Sequence, residues 1–192
     1  MLVLIIGLLV FLGLHSVRIV AEDWRGARIA QWGEARWKGV YSLLSIASFV
    51  LLIWGYGLSR AAPVDLWQPP VFTRHLASLL TLPAFVLLAA AYVPGTRIKA
   101  RLGHPMILSV KLWALAHLLS NGRLGDVLLF GGFLAWSVFD FRAARARDRQ
   151  AALVRPAGSA ARDIVAVVVG LAAWAVFAMF LHGWLIGVRP FG

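Results

Sequence analysis

Long apolar runs alternate with short basic loops along the chain. Residues 1–20, 39–59, 75–95 and 164–188 hold no acidic or basic side chain apart from Arg18 and the histidines. A helix needs about 20 apolar residues to cross the hydrocarbon of a bilayer, so each of the four predicts a span. Pro83 predicts a kink in the third. The stretch from Leu102 to Asp140 is less regular. Asn121-Gly122 reads as a turn. The segment before it, 104–121, is apolar except for Lys111 and its histidines, and the segment after it, 124–140, is bounded by Asp126 and Asp140. Read as two spans joined by a tight hairpin, these segments give six helices. Read as a re-entrant hairpin, they leave four full spans. The predicted fold is therefore an all-α polytopic transmembrane bundle, one domain over 1–192, with about six spans.

The loop charges orient it. Arg18, the loop with Arg25, Arg28, Arg36 and Lys38, the loop with Arg97, Lys99 and Arg101, and the loop with Arg142, Arg145, Arg147, Arg149, Arg155 and Arg162 fall on one side. Only Arg60, Arg74, Arg123 and Arg189 fall on the other. Basic loops stay in the cytoplasm, which places both termini outside. Trp24, Trp32, Trp37, Trp54 and Trp67 lie near span ends, as an aromatic belt would, while Trp113, Trp136 and Trp174 fall mid-span and predict helix packing. Residues 143–161 mix Ala and Arg and read as a cytoplasmic linker or an interfacial helix.

Composition excludes other classes. Of 192 residues, 61% are hydrophobic and only 14% charged, against about a quarter charged in a soluble domain. The net charge of +11 sits in clusters between apolar runs. It is not a single solvated face, so no nucleic-acid partner is expected. The expected partner is the lipid bilayer, and the basic excess is topology plus anionic headgroups. Cysteine is absent, which removes disulfides, thiolate metal sites and Fe–S clusters. The first apolar run lacks a basic leader and a small-residue cleavage site, so it is expected to remain as a span.

Ionisable groups at membrane depth are costly, and each is a functional candidate. His15 lies in the first span, His75 opens the third, His104 precedes Pro105, His117 lies inside the fourth and His182 lies near the end of the last. No close metal-binding spacing occurs. His104 and His117 are about 140° apart on one helix, so a shared metal must recruit histidines from different spans. A bundle core does this, and bis-His haem is one outcome. Otherwise the histidines are packing residues. Lys111 lies seven positions after His104 on nearly the same face. It can pair with Asp126, Asp140 or a propionate, or snorkel to the headgroups. Asp126 is expected to cap its helix, and Glu34 to join a solvated cluster with Arg36 and Lys38. Gly131-Gly132 is expected to permit close helix approach.

These residues carry a resemblance. The pieces are Leu14-His15-Ser16-Val17-Arg18, Gly33-Glu34-Ala35-Arg36-Trp37-Lys38-Gly39-Val40-Tyr41, Trp54-Gly55-Tyr56, Thr73-Arg74-His75-Leu76, Gly103-His104-Pro105-Met106 and Val110-Lys111-Leu112-Trp113-Ala114-Leu115-Ala116-His117-Leu118-Leu119-Ser120-Asn121-Gly122. In this order, over nearly the whole chain, they resemble the NnrU family of bacterial membrane proteins. The resemblance implies an inner-membrane protein associated with denitrification, whose partners would be the nitrite or nitric oxide reductase machinery. The same domain is similar to 15-cis-zeta-carotene isomerase, a membrane enzyme that uses haem b. That likeness implies His15 and His117 as axial ligands of the iron, with His75 and His104 as further histidines of the pattern. A cysteine linked to ligand exchange in the isomerase falls at Ala114, so a thiolate switch is absent here.

Three functions are therefore expected as alternatives. The first is a haem b protein supporting nitrogen-oxide respiration, with His15 and His117 on the iron and His104, His75 and Lys111 around the cofactor. The second is a haem-dependent isomerase of a carotenoid-like polyene. The third is a haem-free scaffold or maturation factor for a reductase.

Overall fold

The computed structural model describes residues 1–191. The chain forms α1 (Leu2–Val20), α2 (Glu22–Trp32), α3 (Glu34–Ala61), α4 (Phe72–Tyr92), α5 (Arg97–Leu102), α6 (Pro105–Ser120), α7 (Leu124–Gln150), α8 (Ala160–Val176), a π-helical turn (Phe177–Leu181) and α9 (His182–Ile186). No strand occurs among the described residues. The fold is an all-α bundle. Five helical stretches, Leu2–Val20, Glu34–Ala61, Phe72–Tyr92, Leu124–Gln150 and Ala160–Ile186, are long and apolar enough to cross a membrane. Helix α6 has 16 residues. At 1.5 Å per residue it reaches about 24 Å, short of a hydrocarbon core of about 30 Å. Large aliphatic side chains such as Leu9, Leu43 and Leu79 stand more than 65% exposed on the protein alone, a surface suited to lipid.

The chain divides into two compact units, Met1–Gln68 with Gly122–Asp140, and Pro69–Asn121 with Phe141–Gly192. Helix α7 contributes to both. In the first unit, α1 and α3 approach through glycine. A Cβ on Gly7 would lie 2.8 Å from Leu52 Cα, and one on Gly55 would lie 2.5 Å from the backbone nitrogen of Leu4. Bundles in lipid associate through such close packing, because apolar burial offers no drive there. The start of α7 joins them, with Gly125 against Ser59 and Leu4. A Cβ on Gly132 would meet Leu8 and Leu12 at ordinary contact distance and one on Gly131 would meet nothing. The tightest approaches in this unit are thus at Gly7, Gly55 and Gly125 and not at the Gly131-Gly132 pair. Asp126, in the first turn of α7, is 5% exposed, and the Tyr56 hydroxyl donates to it at 2.7 Å.

The first loop is not irregular. One non-helical residue, Ala21, separates α1 from α2, and one, Gly33, separates α2 from α3. Gly33 has φ 80° and ψ 154°, a conformation open essentially to glycine alone. At the far end of the unit the α3–α4 connection pairs with the turn after α6. Leu66 N donates to Gly122 O at 2.9 Å and Leu124 N to Val64 O at 2.9 Å.

In the second unit α4 packs on α6 and on α8. A Cβ on Gly170 would lie 2.6 Å from Val86 Cα, and Trp174 Nε1 donates to Thr81 Oγ1 at 3.1 Å. The α4–α5 turn is tied to the start of α8. Ser159 N donates to Gly95 O at 2.9 Å, and Ile98 N donates to Asp163 at 3.1 Å.

Candidate cofactor-binding histidines

His15 belongs to the first unit, and His75, His104, Lys111, His117 and His182 belong to the second. On α1, His15 Nδ1 lies 2.7 Å from the carbonyl oxygen of Phe11, one turn earlier. A carbonyl only accepts, so Nδ1 carries the proton and Nε2 carries the lone pair, the form in which imidazole binds a metal. The half-buried ring stands among aromatics. Phe11 lies 4.2 Å away, Tyr41 5.6 Å and Trp136 6.3 Å, the last two edge-on. Nearby, Trp136 Nε1 is buried without a hydrogen-bond partner. Such an orphaned donor costs about 1–3 kcal/mol.

On α6, His117 repeats the local arrangement. Its Nδ1 lies 2.8 Å from the carbonyl oxygen of Trp113, and its own carbonyl accepts from Asn121 Nδ2 at 2.9 Å. A second imidazole stands near the His117 ring. The His182 ring lies 6.4 Å from it, at an interplanar angle of 20°. His182 Nδ1 is itself held by Val188 O at 2.7 Å, and Phe177 stands edge-on to it at 5.8 Å. His182 directly follows the π-helical turn. One π turn shifts the register of everything after it, and such turns often mark functional sites. Helical periodicity in the sequence therefore could not bring His182 to His117.

The remaining histidines and Lys111 make other contacts. His104, the residue before α6, places Nε2 2.9 Å from Asp148 Oδ2. Arg155 donates to the same oxygen at 2.6 Å, and its guanidinium covers Gly103, which has φ 81°. This three-residue cluster ties the start of α6 to the end of α7 and the following loop. Lys111 Nζ sits 4.2 Å above the Phe141 ring, a cation–π contact with no carboxylate partner among the described residues. His75 is exposed near the start of α4. Ala114, on α6, is fully buried.

Among the described residues no three His, Asp or Glu side chains gather as a metal cluster. Haem asks for less, because the porphyrin supplies four nitrogens and the protein one or two axial ligands. Within the first unit, His15 with its aromatic walls and the orphaned Trp136 donor fits that demand, and within the second unit so does His117 beside His182.

A polytopic all-α membrane bundle with histidines set into its helices is thus the class of protein. The NnrU family model, described as NnrU protein, matches residues 3–190. The chain belongs to the NnrU family. No curated protein and no solved structure matches it.

Proposed function

We propose that this NnrU-family protein is a haem b-binding protein of the bacterial inner membrane that supports nitrogen-oxide respiration. The observation that carries the haem reading is the shared state of His15 and His117. Each has Nδ1 on the carbonyl four residues earlier, at 2.7 and 2.8 Å. That bond does two things for an axial ligand: it fixes ring orientation, and it raises the basicity of Nε2. Membership of the NnrU family supports the respiratory role. When bound, haem supplies one-electron redox chemistry at its iron. The chain's own residues orient the two imidazoles, with Phe11, Tyr41 and Trp136 against His15 in the first unit and Trp113 against His117 in the second. Lys111 lies in the second unit, over the Phe141 ring. It would suit a propionate.

A second histidine that would hold the group beside His117 has two candidates. The family likeness favours His15, while the 6.4 Å separation from His117 favours His182.

A second reading, isomerisation of a polyene, draws on an apolar groove of about 510 Å³ in the first unit. It is lined by Leu9, Leu12, Gly13, Ser16, Gly132 and Trp136 among others. Its size suits a small-molecule site, and it shares Trp136 with the wall of His15.

An optical spectrum of detergent-purified protein, made with haem precursor, tests the proposal. A Soret band with sharp α and β bands on dithionite reduction is expected. A protein that stays colourless at full haem supply overturns it and leaves a scaffold role. Conversion of a cis-polyene in reconstituted membranes separates the isomerase reading from the respiratory one.

A further inference from the structure

The short helix α2 and the start of α3 carry a cluster of which the haem reading uses only Tyr41. Trp24, Trp32, Trp37 and Tyr41 form a continuous aromatic set, with ring separations of 5.9 Å, 6.2 Å and 6.4 Å around Trp37. Trp24 is 49% exposed and Trp32 37%. On these two indoles lie two guanidinium groups, Arg28 at 5.8 Å from Trp24 and Arg36 at 5.9 Å from Trp32.

Two of the three acidic groups nearby are taken by other bases. Glu22 is shared by Arg18 at 3.5 Å and Arg25 at 3.2 Å, and Glu34 holds Lys38 at 2.8 Å. Asp23 stands exposed on α2. Arg28 gives one nitrogen to Gln31 at 2.7 Å, and its buried Nε has no acceptor. A guanidinium stacked on an indole keeps its N–H edge in plane, where it can grip a phosphate with two parallel hydrogen bonds. Indoles favour the boundary between headgroups and acyl chains. The excess charge repels the choline of a zwitterionic lipid.

We propose that α2 and the first turn of α3 form a binding site for an anionic phospholipid, with Arg28 and Arg36 holding its phosphate and Trp24 and Trp32 lying against its glycerol and upper acyl chain. The site is independent of haem.

Native mass spectrometry of the full-length detergent-purified protein, titrated with phosphatidylglycerol and separately with phosphatidylcholine, tests it. Phosphatidylglycerol is expected to bind more tightly. Each arginine near an anionic surface contributes about fivefold in affinity, so R28Q/R36Q should bind phosphatidylglycerol about 25-fold more weakly. R145Q/R149Q, which removes equal charge from another cytoplasmic-type cluster, should bind within about twofold of wild type. Equal binding of the two lipids, wild-type affinity in R28Q/R36Q, or an equal loss in R145Q/R149Q overturns the proposal. If R28Q/R36Q does not fold, R28K/R36K decides: it keeps the charge and lacks the fork. Weakening of severalfold supports the site, and wild-type affinity overturns it.

Discussion

Replacing Gly55 by alanine sets two effects against each other, and the geometry decides between them. In an α-helix interior, alanine is favoured over glycine by about 1 kcal/mol. At Gly55, however, the new Cβ would lie 2.5 Å from Leu4 N, 2.6 Å from Leu4 Cα and 2.7 Å from Val3 C. These are backbone atoms of α1, so no side chain can rotate away. Helix α1 must retreat by about 1 Å to restore contact distance, and the packing along it loosens. Overpacking of this kind costs about 3 kcal/mol at the upper end of its ordinary range. The net cost is about 2 kcal/mol, or a melting temperature lower by about 4–8 °C for a chain of this size. Gly57, two residues on, is the control, since a Cβ there meets nothing within 4 Å. Gly57→Ala should keep only the helix-propensity gain and raise the melting temperature by about 2–4 °C. The assay is thermal unfolding of both variants in one detergent. A Gly55→Ala protein as stable as Gly57→Ala would refute the α1–α3 packing described above.

Three further outcomes follow from local geometry. Tyr56→Phe removes the hydroxyl that donates to buried Asp126 at 2.7 Å and should cost about 1–3 kcal/mol; adding Asp126→Asn should cost less than the sum of the two single changes in the same melting assay. Gly33→Ala meets no steric obstacle but must hold φ 80°; a loss of about 1–3 kcal/mol is expected, read as earlier proteolysis of the α1–α3 region. Asp148→Asn weakens the contacts to Arg155 and His104; it should lower the melting temperature by several degrees, since hydrogen bonds to charged groups contribute about 1.5–3 kcal/mol, whereas Asp23→Asn on exposed α2 should not move it.

What the sequence made legible is what hydrocarbon dictates. The apolar runs appear as helices near the expected places, because water-free lipid admits only internally bonded backbone. The helix ends were less legible, since apolarity ends before helicity does. Helix α3 begins at Glu34, five residues before the apolar run at 39, and α7 continues through the Ala/Arg-rich residues to Gln150. Ala and Arg are strong helix formers that need no lipid. The segment 22–32 reads as a basic loop, yet one glycine turn at Gly33 lets it form α2. The Glu34–Lys38 pair is where the sequence places it, while Arg36 stacks on Trp32. Long-range partners left no trace in spacing. His104 meets Asp148 across 44 positions, Lys111 settles over Phe141, and the π turn brings His182 to His117. None of these follows from a 3.6-residue period, because each depends on how separate helices pack.

The central claim, haem held through His117, is tested most directly by haem-to-protein stoichiometry in wild type, His117→Ala, His15→Ala and His182→Ala. The pyridine haemochrome assay, on protein prepared in parallel, gives that ratio. The account predicts one b-type haem per wild-type chain, a loss of most of it in His117→Ala, and a change from six-coordinate to five-coordinate spectrum in whichever of the other two supplies the second ligand. Full haem content and an unchanged spectrum in His117→Ala would contradict it.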